Sequence, residues 1–171
     1  NILELQDNGY KSTVSAISEI IDNAIQANAK NIDIIIVKNT TAVRDEIEEI
    51  LILDDGVGMD AEVFERALQM SSGTRNKAKS GLGKYGQGLP NSSISQAKRV
   101  EVYTKKNGRT LFNYIDLLEI YNSGEATLPD IELVESINIP LFKKSGIDIR
   151  ESGTVVRWIK PDRVNPKTAK T

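Results

Sequence analysis

The chain predicts an α/β two-layer sandwich: a mixed, mostly antiparallel sheet with helices on one face. Three observations carry this. An amphipathic helix pattern from about residue 11 to 28 runs straight into the β-branched stretch Ile32–Val37. Two hairpin patterns follow, 32–37 with 48–53 and 100–104 with 111–115, the second around the turn signal Asn107-Gly108. Two further helical segments, 61–70 and 89–97, fall between them.

In chain order, Leu3 to Gly9 is a short lead-in, and Ser12 or Thr13 caps the first helix. At about 100° per residue, Val14, Ile17, Ile20, Ile21, Ala24 and Ile25 gather on one side and Ser15, Glu19, Asp22, Asn23 and Gln26 on the other. Asn28-Ala29-Lys30-Asn31 ends the helix, the 32–37 strand follows, and 39–45 reads as a polar turn into the 48–53 strand. Asp60 caps the next helix, whose inner face is Val63, Phe64, Ala67 and Leu68. Residues 71–80, SSGTRNKAKS, lack apolar periodicity and read as a loop before the glycine-rich run 81–88. Beyond the second hairpin, 116–150 is the least readable part. Leu117–Tyr121 fits a helical turn or a strand, and Ile131–Val134 and Ile147–Ile149 fit short strands. Gly153-Thr154 opens a last strand to Ile159, ahead of a Pro- and Lys-containing tail.

A length of 171 residues suits one domain, with a core of about 10–160 and a tail or linker over 161–171. The chain starts at Asn1 rather than Met, so we expect a fragment of something longer. No apolar run approaches the ~20 residues of a membrane span, and the first residues lack a signal peptide's regions. The expectation is a soluble intracellular protein, cytoplasmic, or nuclear in a eukaryote, with no membrane partner. Zero Cys and zero His exclude thiolate and imidazole chemistry, so any metal is a hard one held by oxygen. Charge is uneven: residues 1–70 hold five basic and fourteen acidic side chains, whereas 71–110 hold nine and one. A cationic glycine-rich segment suits polyphosphate, with nucleic acid as a second reading through Arg75, Lys77, Lys79, Lys84, Lys98 and Arg99.

Three stretches carry chemistry. Glu19 and Asn23 lie four apart on the helix, which stacks a carboxylate able to take a proton from water beside an amide oxygen able to hold a hard cation. Alone, that is a solvated acidic face. Asp54-Asp55-Gly56-Val57-Gly58-Met59-Asp60 sets carboxylates and flexible backbone at a strand end. Gly81-Leu82-Gly83-Lys84-Tyr85-Gly86-Gln87-Gly88 has four glycines in eight residues, so its N–H groups can converge on an anion. Gly81, Gly83 and Gly86, with Glu101 twenty residues on, also fit a dinucleotide fingerprint, but that needs a strand immediately upstream, and a polar loop stands there. A GxxxxGK phosphate loop fails because Ala78 holds its first glycine position.

In this order the three stretches resemble the nucleotide-binding boxes of the GHKL superfamily: gyrase, ninety-kilodalton heat-shock chaperones, histidine kinases and MutL. Gly153-Thr154 resembles the family's distal threonine, and the resemblance spans about residues 10–160. It implies a Bergerat-type fold and ATP with Mg²⁺ as ligands. By position, Glu19 would be the general base and Asn23 the Mg²⁺ ligand. Asp54 would accept a hydrogen bond from the adenine amino group, with Gly56, Gly58 and Met59 lining the base and Thr154 supporting the contact. Gly81, Gly83, Lys84, Tyr85, Gly86, Gln87 and Gly88 would wrap the phosphates, under a lid spanning 71–80. Ser72-Gly73-Thr74 is similar to the chaperones' lid, and Lys84 to Gly88 with Ser92-Ser93 resembles the MORC ATPases more than gyrase.

The resemblance implies an ATPase whose nucleotide state switches a homodimeric clamp in the full-length protein, with DNA contact through that protein as a further expectation. Glu19 favours hydrolysis over kinase activity, since histidine kinases resemble this family but usually carry Asn at that position. Family ATPases complete their site with a lysine from a following transducer domain, so slow hydrolysis is expected of this chain alone. The alternatives are a non-hydrolysing ATP-sensing module and a histidine-kinase-like domain.

Overall fold

The structure, a computed structural model, describes residues 12–39, 46–69, 88–125 and 127–161. In chain order its elements are α1 (Thr13–Gln26), β1 (Ile32–Asn39), β2 (Glu46–Asp54), α2 (Ala61–Leu68), α3 (Gly88–Ile94), β3 (Arg99–Lys106), β4 (Arg109–Asp116), α4 (Leu117–Ser123), β5 (Glu132–Val134), a 3₁₀ turn (Pro140–Lys144) and β6 (Gly153–Ile159). The six strands form one sheet in the order β1-β2-β6-β3-β4-β5. Every described pairing is antiparallel.

Local chemistry sets the element ends. The Ser12 hydroxyl accepts the Ser15 N–H at 3.1 Å, and the Asp60 carboxylate accepts the Val63 N–H at 3.0 Å, each satisfying a donor that the first helical turn leaves over. At the other end of α1, Asn28 adopts a φ of 57° while the Asn28 N–H bonds Ile25 O and the Ala29 N–H bonds Ala24 O, both at 3.0 Å. This is a Schellman closure, and it turns the chain directly into β1. Asn107 and Gly108, at φ 51° and 73°, make the tight β3–β4 hairpin.

Strand alternation divides the buried side chains between two faces. Ile50, Ile52, Val100, Val102, Val156 and Trp158 face α1, α2, α3 and α4, which contribute Ala16, Ile20, Phe64, Leu68, Leu89, Ile94, Leu117 and Ile120. On the other face, Leu51, Leu53, Tyr103 and Val155 are covered by Ile139 and Ile149. The hard-to-read 116–150 stretch therefore divides, Leu117 and Ile120 packing on the first face and Ile139 and Ile149 covering the second. Its residues 147–149 are irregular rather than a strand, and Leu117–Tyr121 resolves as helix.

The apolar side expected for α1 is rotated. Val14 is 71% exposed and Ile25 59%, whereas Ala16, Ile20 and Ala24 are buried. The helix docks through a narrow stripe with two alanines, packing on α3, whose Ser92 and Ser93 are also buried. Small side chains on both helices allow close approach, and the branched Val14 and Ile25 stay outside. Thr13 Oγ1 donates to Gln96 Oε1 at 2.8 Å beside this contact.

Candidate functional site

The buried surface facing the helices changes character at one end of the sheet. Two successive cross-strand rows are apolar: Ile50, Trp158 and Val100, then Ile52, Val156 and Val102. The next row in the same register is Asp54, Thr154 and Thr104, and all three are buried. Polar side chains in a row that continues a core need partners. Thr104 Oγ1 accepts the Met59 N–H at 2.8 Å and lies 3.3 Å from Thr154 Oγ1. Asp54 accepts the Gly56 N–H at 2.9 Å. Burial pushes the Asp54 carboxyl up to about 6, helped by the neighbouring Asp55 charge and opposed by the Gly56 bond.

The 54–60 loop is clamped from two sides. Asp55 accepts the Lys30 N–H at 2.7 Å and the Asn31 N–H at 2.8 Å, and its second oxygen accepts the Asn31 side-chain amide at 2.8 Å. These bonds, the Asn31 backbone N–H foremost, hold the Asp55 carboxyl below the usual carboxylate range. The Val57 N–H bonds Ala27 O at 2.9 Å, so the loop is tied to the C-terminal end of α1. From the other side comes β3. Gly58 sits at φ +64°, and a Cβ there would overlap the Lys105 carbonyl oxygen. A Cβ at Gly56 would come within 2.9 Å of Ala27. Both glycines are therefore required by how closely the loop packs on protein.

Two turns back along α1, Glu19 and Asn23 are half-buried and Asp22 is exposed. Gly88, which opens α3, lies directly against Glu19: a Cβ on Gly88 would overlap the Glu19 carboxylate. One end of α1 thus touches the Asp54 loop while its middle touches the last residue of the glycine-rich run. From Glu19 to Ala27 the helix spans about 12 Å. The structure accordingly brings Asn23, Asp54, Gly56, Gly58, Met59, Gly88 and Thr154 to one side of the domain with Glu19. Ser72, Gly73, Thr74, Gly81, Gly83, Lys84, Tyr85, Gly86 and Gln87 lie outside the described residues.

Sequence reasoning missed Thr104 and gave Asp55 no role. Asp55 stood inside a recognised motif, but its partners Lys30 and Asn31 become visible only when α1 closes against the loop. Thr104 carries no local signal, because its place depends on β6 pairing with β3. The dinucleotide alternative loses its acidic residue, since Glu101 pairs with Arg157 at 3.0 Å and Arg99 at 3.3 Å. Arg99, counted among the nucleic-acid candidates, is engaged by Glu101 and Asp116 and stacks over Tyr114. A cavity of about 240 Å³ between Tyr114, Asp116, Ile120 and Leu128 lies away from the site. Among the described residues no cluster of three or more His, Cys, Asp or Glu could hold a metal, and no helix is long and apolar enough to cross a membrane.

Comparison with known proteins bears on this geometry. Residues 10–154 match the family described as histidine kinase-, DNA gyrase B-, and HSP90-like ATPase. Protein MICRORCHIDIA 6 of Arabidopsis thaliana is 31% identical over 110 residues, which is 64% of this chain and 16% of that protein. ATPase MORC2 of Homo sapiens is 33% identical over 95 residues, 53% of this chain and 9% of its own length. The chain thus spans under a fifth of either relative. Among solved structures, the Aquifex aeolicus MutL ATPase domain complexed with ADP superposes with a TM-score of 0.52 at 15% identity, covering 89% of this chain and 43% of that one. The N-terminal domain of a DNA repair protein gives 0.59 at 17%, covering 94% and 39%. At these identities the structural matches speak to the fold.

Proposed function

Because the chain belongs to the histidine kinase-, DNA gyrase B-, and HSP90-like ATPase family and resembles its microrchidia members, we propose that it binds ATP with Mg²⁺ and hydrolyses it slowly, as the nucleotide-responsive part of a larger dimeric protein. The observation that carries this reading is the contact of Gly88 with Glu19 on a helix whose far end is tied to the Asp54 loop. One helix then spans the distance between a base-reading row and a candidate general base.

At the base end, the Asp54 carboxylate would accept a hydrogen bond from the exocyclic amino group of adenine. With its pKa pushed up to about 6, the Asp54 carboxyl is mostly ionised above pH 7, and a hydrogen bond donated to it favours that form further. Thr154, beside Asp54 in the ladder, adds a hydroxyl at the same edge. At the other end, Glu19 would take the proton of the attacking water, and with no histidine in the chain a carboxylate is the available base. The donor set suits a hard cation: Asn23 offers one amide oxygen beside Glu19, and Mg²⁺ commonly takes one or two protein oxygens, completing its shell with phosphates and water. Mg²⁺ would neutralise phosphate charge as it develops. Gly81 to Gly88, with Lys84 and Tyr85, would surround the phosphates, and Ser72-Gly73-Thr74 would belong to the lid. Dimerisation and DNA contact would be properties of the longer protein.

The test is Glu19→Ala in the full chain, read by equilibrium ATP titration and steady-state phosphate release. Binding should persist within a few-fold while turnover falls by at least a hundredfold. Turnover equal to the parent's would remove Glu19 from the base role.

A further inference from the structure

Thr104 lies outside every motif that led to the site, yet its hydroxyl is fully buried at the meeting point of three segments. It accepts the Met59 N–H at 2.8 Å, stands 3.3 Å from Thr154 Oγ1, and reaches the Gly153 carbonyl at 3.4 Å. The two residues after it brace the same loop: the Lys105 carbonyl fills the space where a Gly58 Cβ would sit, and Lys106 Nζ lies 3.6 Å from Asp60. Strand β3 therefore supports the 54–60 loop at three consecutive positions, and Thr104 alone among them also touches the base-reading row.

We infer that Thr104 is a positioning residue for base recognition, holding the Met59 backbone and the Thr154 hydroxyl in place so that the Asp54–Thr154 edge discriminates adenine from bases lacking a 6-amino group. The inference rests on the ATP-binding reading. A hydroxyl has two lone pairs and one proton, and at Thr104 the Met59 N–H already claims one lone pair. The remaining lone pair and proton are shared with Thr154 and Gly153, which limits the directions in which Thr154 can present its own hydroxyl. Replacing Thr104 by Val keeps the shape, strands the Met59 N–H and frees Thr154 to turn.

The experiment titrates ATP and inosine triphosphate, which carries a 6-oxo group in place of the amino group, into the full chain and its Thr104→Val and Thr104→Ser variants. Thr104→Val should weaken ATP roughly tenfold and inosine triphosphate much less, so that the ratio of the two affinities shrinks, and Thr104→Ser should restore most of that ratio. A purely structural role would weaken both nucleotides in parallel, and an unchanged ratio overturns the inference, as does parent-like ATP binding by Thr104→Val. If Thr104→Val does not fold, Thr104→Ala is read in the same way. A parent chain that binds neither nucleotide overturns the ATP-binding reading and the inference with it, whereas a parent that binds ATP with an unmoved ratio in the variants overturns the inference alone.

Discussion

At one end of β2, β6 and β3, the row Asp54, Thr154 and Thr104 faces the helices, and its single ionisable group is bonded to the neutral Gly56 N–H. At the other end of the same strands, on the opposite face, Glu49, Arg157, Glu101 and Arg99 alternate in sign. Arg157 holds Glu49 at 2.6 Å and Glu101 at 3.0 Å, and Arg99 holds Glu101 at 3.3 Å and Asp116 at 3.2 Å. Both rows are largely shielded from water, but only the second is neutralised from within the protein. Paired charges satisfy one another and ask nothing of a ligand, whereas a buried carboxyl whose ionisation is disfavoured is a group awaiting a donor. The contrast separates a row that serves the fold from one that we propose serves binding.

The largest effect that could break this contrast is on pH-dependent stability. The folded chain keeps the Asp54 proton to about pH 6, while the unfolded chain loses it near the ordinary aspartate value of 3.8. The neutral form is favoured by folding, so its contribution is full below about pH 4 and is lost as pH rises through 6. In denaturant unfolding, the stability of the parent relative to Asp54→Asn should fall by roughly 2–3 kcal/mol in total between pH 4 and pH 7. Parallel curves would mean that Asp54 titrates normally. Next in size is Arg157→Met, which strands Glu49. Partial exposure of the pair moderates the loss to roughly 1–3 kcal/mol, and ATP affinity should stay within twofold of the parent's. A tenfold loss of affinity would show that the charged row is coupled to the site. Smallest is Val14→Ser, expected to move stability by less than about 0.5 kcal/mol because Val14 is largely exposed. A loss above 1 kcal/mol in thermal or chemical unfolding would restore Val14 to the packed side of α1.

Much of this was legible before the fold was known, for reasons that differ from element to element. The caps at Ser12 and Asp60 and the Asn107-Gly108 turn depend on neighbours within four residues, and the structure has them where local chemistry places them. The β1–β2 and β3–β4 pairings were equally visible as hairpins. What could not be read was the insertion of β6 between β2 and β3, a long-range choice that sets Thr154 between Asp54 and Thr104. The rotation of α1 escaped for a related reason. Hydrophobicity ranks Ile25 and Val14 above Ala16 and Ala24, but close packing on α3 selects by size. In 137–149, apolar residues cover a sheet face from a largely irregular backbone, so no period marks them.

The central claim is that Asp54 anchors an adenine nucleotide at the polar end of the sheet. The most direct measurement is a calorimetric titration of ATP with Mg²⁺ into the parent and Asp54→Asn at pH 7.5. The account predicts saturable one-site binding by the parent and a loss of at least a hundredfold in the variant, since an amide can turn its NH₂ toward the adenine amino group and offers no charge. Equal affinities for parent and variant would contradict it.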